Sequence, residues 1–447
     1  MINDWGAAKH PVSPALTAQP MTDSPNEQQH FTQAVVELGD RQDVVATQAI
    51  FNTQGTKILE RGNTIHRGLY ERLMQHKLSA PLENSLRGSK SVSAEALKRS
   101  AEEVMRDIPF FGRMAADDKT RKMLLNMMET VPLPDPMAFQ LTVARDVRPE
   151  IYRHLVRTAL VAAWLARTPV ISRYDIQMAT AGGLLHDIGM LHIDPLLLRP
   201  EHVLNREQRR QLYSHPLLST MLLERHHQYS QDVVRAVGEH HECLDGSGYP
   251  RNLGGDAISP LGKILSLAQV VAAMFAPGRN APEMRLSVLL RMNTHRYDNT
   301  MSMQVVGLLK PQRDAMGTDV GRMEDPLAVL REIDRLLCQW PLAQAAGEST
   351  ISAARQETLG LIGRHAGQLW RSLAGVGAVP DQLDQLGKDA LDDTVLTELT
   401  LLTREAAWQL RTLGRQARRR WQAQQDEHLP STLEQWLSDV DAVADRA

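Results

Sequence analysis

Apolar positions recur at helical spacing over most of the chain. PEIYRHLVRTALVAAWLA and SPLGKILSLAQVVAAM keep apolar residues three and four apart, and the stretch 146–311 reads as helices with short turn-rich breaks. Beyond residue 325, TLGLIGRHAGQLW and LTELTLLTREAAWQLRTL predict further long helices. Residues 91–145 are helical by the same criterion, with Ser93 just ahead of Glu95 and Ala96 at the start of a periodic run. The VPLPDP segment interrupts that stretch, because closely spaced prolines cannot continue a helix. The texture differs nearer the N-terminus, where VVATQAIF, NTQG and TKILERG predict strand, turn and strand, with Gly55 supplying the turn. Next, IHRGLYERLMQHKL predicts a helix through Ile65, Leu69, Leu73 and Leu78. Residues 1–29, rich in Pro, Ser, Thr, Gln and Asn without periodicity, predict a disordered tail. The expected organisation is a mainly α protein: tail 1–29, small α+β accessory module 30–90, helical connector 91–145, helical domain 146–311 and helical regulatory or interaction region 312–447.

Composition narrows the class. Among 447 residues, 50 Lys and Arg stand against 53 Asp and Glu, so a net charge of −3 gives no electrostatic case for nucleic acid. Seven Trp, seven Tyr and six Phe are too few for a base-stacking surface. Cys243 and Cys338 cannot make a disulfide framework, which points to a reducing cytoplasm. The opening MINDWGAAKHPVSPALTAQP lacks the basic and apolar regions of a secretory signal. No membrane span is expected either, since the best candidate, LVRTALVAAWLA, contains Arg157. Arg404 to Arg420 holds six arginines and one Glu, which reads as a solvated helix face. The one unusual surplus is 16 histidines.

Nine of those histidines fall between residues 150 and 241. Glu150 and His154 are four apart and share a helix face, with Pro149 suited to the first helical position. Ser172 is placed to cap a helix running through AGGLLHDIG, which would end at His186 and Asp187 with Gly189 just beyond. Asn205 and Gln208 have capping-box spacing and open a helix that delivers His215, with Pro216 starting another. His240 and His241 follow DVVRAVGE; neighbours on a helix lie about 100° apart, so they could serve two different ions. Taken singly, each feature is ordinary: a buried imidazole at a helix end, or a surface Glu–His pair. Taken together, Glu150, His154, His186, Asp187, His215, His240 and His241 on otherwise apolar helices are explained by metal. Imidazole and carboxylate suit Fe, Mn, Zn or Ni, and no thiolate is needed, so Cys243 is expected to pack rather than ligate.

LLHDIG, the His215–Pro216 pair and HHECLDGSGYP, with YDNTMSMQVV trailing, resemble in order and spacing the HD-GYP domain of bacterial cyclic di-GMP phosphodiesterases. The resemblance covers roughly 146–311. It implies an all-helical domain with two or three divalent transition metal ions, iron or manganese, that hydrolyses cyclic di-GMP to pGpG or GMP. His186 and Asp187 would be catalytic, with Asp187 bridging two metals and His154 and His186 on one of them. His215 and His240 would serve the second, with Glu150 and His241 at a third. Asp245, Gly246, Gly248, Tyr249 and Pro250 would form the substrate loop, and that loop and the C-terminal helices would meet protein partners such as GGDEF-type proteins.

Three positions depart from the family. Met190 stands where a phosphate-contacting Lys is usual, a loss of roughly 1.5–3 kcal/mol for a charged hydrogen bond. Gln269 replaces a metal-binding Asp, and Ala272 a second Asp three residues on, so one metal site is expected to be impaired. Arg279 falls one residue out of register with a phosphate-binding run. The expectation is a phosphodiesterase of weakened activity, the alternative being a catalytically degenerate cyclic di-GMP receptor or scaffold.

Overall fold

The computed structural model describes residues 25–167, 172–199, 202–310, 323–347, 353–385, 392–422 and 430–447. The described chain divides after Ala276 into two compact units. The first opens with helix α1 (Pro25–Gly39), the strands β1 (Val44–Ala46), β2 (Ile50–Phe51) and β3 (Lys57–Leu59), a short α2 (Tyr70–Met74) and β4 (Leu86–Gly88). Helices α3 (Ala94–Asp107), α4 (Pro109–Met114), α5 (Asp118–Thr130), α6 (Asp135–Val147), α7 (Pro149–Ala166) and α8 (Arg173–Leu185) follow. The unit ends with α9 (Arg206–Leu212), α10 (His215–Glu224), α11 (Gln231–Glu239) and α12 (Pro260–Met274).

α1 begins inside the span expected to be a tail, whose residues 1–24 lie outside those described. The expected strand VVATQAIF is two strands with different partners. β1 pairs antiparallel with β4, Val45 opposite Arg87, while β2 pairs with β3, Ile50 opposite Leu59. Alternation cannot reveal the first pairing, because β4 lies some forty residues further on. The NTQG turn forms as expected: Asn52 Oδ1 accepts from the amides of Gln54 at 3.0 Å and Thr56 at 2.7 Å, and Gly55 takes a φ of +79°. The helix predicted over IHRGLYERLMQHKL shrinks to α2, because the His66 ring accepts from the Gly68 amide at 3.2 Å and starts a tight turn instead.

Helix α7 explains the core. Its residues are buried except at Pro149, Glu150 and Arg153, and α6, α8 and α12 pack around it. Arg157, odd in so apolar a run, is buried and donates through Nε to the Ala272 carbonyl at 3.2 Å. Phe110 and Phe275 stack at 4.7 Å, with Phe111 edge-on to both. Ser93, Ser172 and Asn205 cap their helices as the sequence implied, and Ser259 caps α12, with reciprocal capping boxes at Ser172–Asp175 and Asn205–Gln208. Such caps are worth about 1 kcal/mol each.

The second unit contains α13 (Pro282–Met292), α14 (Asn299–Val306), α15 (Pro326–Gly347), α16 (Ala353–Gly375), α17 (Pro380–Leu383), α18 (Asp393–Gln422) and α19 (Ser431–Asp445). Residues 312–322, at the start of the expected C-terminal region, lie outside those described. Its core joins Ile333, Leu336, Trp340, Ile362, Leu410 and Leu437, and Trp436 donates to the Leu336 carbonyl at 2.9 Å. The arginine-rich stretch is more than a solvated face: Arg411 pairs with Asp445, Arg418 with Asp441, and Arg404 donates to the Ala447 carbonyl. The protein is thus a mainly α chain with a small N-terminal α+β part and a C-terminal helical extension. No described helix is long and apolar enough to cross a membrane.

Candidate metal centre

Four pieces of the first unit supply the site: α7, the end of α8, the start of α10 and the turn after α11. His154 projects from α7, whose apolar stripe buries it to 7% exposure. α8 stops at Leu185, leaving His186 as its C-terminal cap and Asp187 at the start of a tight turn, Ile188–His192. That turn lies directly on α10: a Cβ on Gly189 would stand 2.5 Å from the His215 carbonyl oxygen, and the Gly189 amide donates to Ser219 Oγ at 2.9 Å. The glycine after His-Asp-Ile is therefore a close approach between the elements that carry Asp187 and His215. α11 ends at Glu239, so His240 and His241 both lie in the turn beyond it. The 100° separation expected for helical neighbours does not apply there.

The geometry gathers two groups that share one carboxylate. His154, His186 and Asp187 form one; Asp187, His215, His240 and His241 form the other, all buried, with the ligand atoms of each group within 4.8 Å of one another. Asp187 Oδ2 faces His186 Nε2 at 3.4 Å and His154 Nε2 at 3.7 Å, while Oδ1 faces His215 Nε2 at 3.2 Å and His240 Nε2 at 3.3 Å.

The hydrogen bonds behind the rings determine what the front can do. His186 Nδ1 bonds the Gly183 carbonyl at 2.9 Å, His215 Nδ1 the Leu212 carbonyl at 2.7 Å, and His240 Nδ1 the Val237 carbonyl at 2.6 Å. A carbonyl oxygen only accepts, so each Nδ1 carries the proton, and Nε2 is the nitrogen left to offer a lone pair to a metal. Those lone pairs converge: His186 on His154 at 3.2 Å, His215 on His240 at 3.3 Å, and His241 on His215 at 3.1 Å. Asp187 Oδ1 is buried without a hydrogen-bond donor. Burial pushes His154 and His241 well below the usual imidazole range, and His240 down to about 4. Burial works to raise Asp187, but His186 and His215 outweigh it and hold the carboxyl well below its usual range. A buried cluster of imidazole nitrogens around one carboxylate, with the Nδ1 donors of His186, His215 and His240 turned backward, fits cations. The residues present could hold metal in either group, with Asp187 common to both.

Glu150 is not brought in; it is exposed in the first turn of α7 and belongs to neither group. Gln269 is buried on α12, and Met190 is buried in the turn after Asp187, its amide donating to the Asp187 carbonyl at 2.9 Å. Cys243 is buried beyond the histidine pair and in neither group.

The loop Asp245–Pro250 folds back on the histidine pair. Gly246 takes a φ of +73° and the Asp245 side chain accepts from the Ser247 amide at 2.9 Å. Tyr249 stacks on the His241 ring at 4.5 Å and 17°, joined to the chain before Arg251 through Pro250. Burial pushes its phenol well above the usual range. Sequence reasoning missed two carboxylates flanking the pair. Glu239 accepts from the Ser259 amide and hydroxyl and from Arg235 and Arg251. Glu242 accepts from the Arg251 amide at 2.7 Å and the Leu253 amide at 2.8 Å, while burial pushes it up to about 7. Only the position of these acids beside two adjacent histidines could have drawn attention to them.

Residues 140–301 match the family model described as an HD domain. A 3'3'-cGAMP-specific phosphodiesterase 3 of Vibrio cholerae is 32% identical over 123 residues, 28% of this chain and 26% of that protein. A probable cyclic di-GMP phosphodiesterase of the same organism is 33% identical over 159 residues, 32% of this chain and 36% of that one. A cyclic di-GMP phosphodiesterase of Pseudomonas aeruginosa is 33% identical over 141 residues, 30% of this chain and 33% of that one. The chain thus spans about a quarter to a third of the length of these relatives. Residues 140–301 are thus similar to HD domains, and these relatives are named as cyclic dinucleotide phosphodiesterases.

Proposed function

We propose that this chain is a metal-dependent phosphodiesterase that opens a cyclic dinucleotide, with cyclic di-GMP as substrate and pGpG or GMP as product. The observation that carries the reading is Asp187, one carboxylate shared between two buried sets of histidine lone pairs. When bound, a metal pair supplies a hydroxide at neutral pH and stabilises the attacking and leaving oxygens of an in-line displacement. The chain's own part is to hold and orient. His154 and His186 would hold one ion, His215, His240 and His241 the other, and Asp187 both. The backbone carbonyls behind His186, His215 and His240 keep those rings in the ligating tautomer. Iron or manganese is what the family resemblance implies; the imidazoles suit iron and the shared carboxylate either ion.

Glu150, exposed and outside both groups, is not assigned an ion here. Met190 leaves the substrate phosphate without a nearby lysine, and Gln269 without an extra anionic ligand, so turnover is expected to be slow. The scaffold alternative has less support, since the relatives are named as phosphodiesterases. A second substrate is favoured by a specific observation: three Vibrio cholerae relatives are named 3'3'-cGAMP-specific. A cytoplasmic location, and protein partners of the GGDEF type at the Asp245–Pro250 loop, belong to the same reading.

The test is turnover of cyclic di-GMP and 3'3'-cGAMP by anaerobically purified full-length protein, beside a His186→Ala, Asp187→Ala double mutant. Hydrolysis that disappears in the mutant supports the proposal. Tight binding of either dinucleotide with no product from the metal-loaded protein overturns it.

A further inference from the structure

We propose that Glu242 is a positioning residue, its carboxylate pinning the far end of the Asp245–Leu253 loop so that Tyr249 is held against the His241 ring. The inference rests on the metal-centre reading above. Glu242 is completely buried, immediately after the histidine pair. Its two oxygens are spent on two backbone amides of the returning loop, Arg251 at Oε1 and Leu253 at Oε2. The loop's near side is attached as well: the Tyr249 amide donates to the His241 carbonyl at 3.1 Å. Gly248 lies so close that a Cβ there would stand 2.4 Å from both Glu242 Cα and the His241 carbonyl oxygen. From α12, Ser266 Oγ donates to the Glu242 carbonyl at 2.9 Å, fixing the backbone from which the carboxylate reaches out.

The consequence falls on one imidazole. Ring contacts to His241 come from His215 at 5.0 Å, His240 at 4.2 Å and Tyr249 at 4.5 Å. Two of these are ligands of the same group, so Tyr249 is the contact from outside that group, and its near-parallel face sets the plane of the ring. The ring plane sets the direction of the His241 Nε2 lone pair toward His215. Without Glu242, the Arg251 and Leu253 amides lose their acceptors, the loop lifts, and His241 can rotate out of ligating geometry. His154 and His186 direct their Nε2 atoms at each other and at Asp187 Oδ2, on the other side of the carboxylate from His241, so that half should be spared.

The experiment compares full-length wild type with Glu242→Ala, Glu242→Gln and Tyr249→Ala. Manganese-loaded protein is challenged with a chelator, and metal-free protein is followed by amide exchange at Arg251 and Leu253. Loss of a partner behind a metal ligand typically weakens binding about 10- to 100-fold. In Glu242→Ala, one of the two ions should leave about 10- to 100-fold faster, the other at the wild-type rate, and exchange at both amides should rise. Tyr249→Ala should show the same one-ion release. Glu242→Gln keeps one acceptor oxygen but turns an amide donor on the other N–H, so it should fall between. Wild-type release of both ions from Glu242→Ala, or equal acceleration of both, overturns the proposal; the latter is what general destabilisation would give. If wild type holds no metal, the proposed function fails on that count, and unchanged exchange at Arg251 and Leu253 would still overturn this inference.

Discussion

His154 and His186 point their Nε2 atoms at one another across 3.2 Å, while His186 Nδ1 is committed to the Gly183 carbonyl. Two nitrogens so placed need a proton or a metal ion between them, and Asp187 Oδ2 lies 3.4 Å from His186 Nε2. The same arrangement recurs on the Oδ1 side of Asp187.

Asp187→Asn should therefore remove both ions, whereas His154→Ala should remove one. Asparagine preserves the shape but takes away the only carboxylate in either group. Elemental analysis of the purified variants checks this: a variant at Asp187 that retains a full complement of iron, manganese or zinc would contradict the bridging role.

Gln269→Asp should raise metal affinity by about tenfold or more and raise turnover with it, because an anionic oxygen replaces a neutral amide on α12. Manganese titration followed by a rate measurement in saturated protein separates the two effects. An unchanged affinity would mean that position 269 does not reach either ion.

Gly189→Ala should cost about 1–3 kcal/mol, as overpacking typically does, because its new methyl meets the His215 carbonyl, the Ser219 amide and Leu218 Cβ, all within 2.9 Å. Two of these are backbone atoms that cannot swing aside. Urea denaturation gives the stability loss, and metal content should fall in parallel as α10 is pushed from Asp187.

Glu83 is 5% exposed, and burial raises its carboxyl pKa despite Arg225 at 3.3 Å. A raised acid binds its proton more tightly in the folded state than in the unfolded one. Its contribution is therefore present below the unfolded value, 4.5, and is lost as pH rises from there through the folded value. Glu83→Gln should flatten that decline, being at least as stable as wild type at neutral pH with no advantage below about pH 4. Denaturation midpoints across pH 4 to 8 test this; a glutamine variant that loses ground as pH rises would contradict it.

Phe110→Ala should cost about 3–5 kcal/mol, since it opens a cavity beside Phe111 and Phe275 at a side chain only 1% exposed. The metal centre should survive in whatever fraction stays folded, which metal content per folded protein measures.

Local features were legible because their causes are local. Asn205 with Gln208 is a capping box by spacing alone and Ser172 a cap by position; the structure contains both, and adds Asp175 as the partner of Ser172. The arginine run could not be read as a seam, because the acids that answer it, Asp441 and Asp445, lie on another helix. Glu150 shares the face of His154 by helical spacing, but its exposure at the start of α7 is a matter of what packs there, which spacing does not encode.

By itself the sequence determined the helical class, the caps, and the stock of imidazoles and carboxylates; each follows from neighbours within a turn or two. Only the tertiary structure decided that β1 pairs with β4, that Asp187 turns one oxygen to each set of histidines, and that Glu242 holds the loop over His241. Those relations join residues from separate elements, and a lone pair's direction depends on the carbonyl or ring packed behind it, which no spacing along the chain encodes.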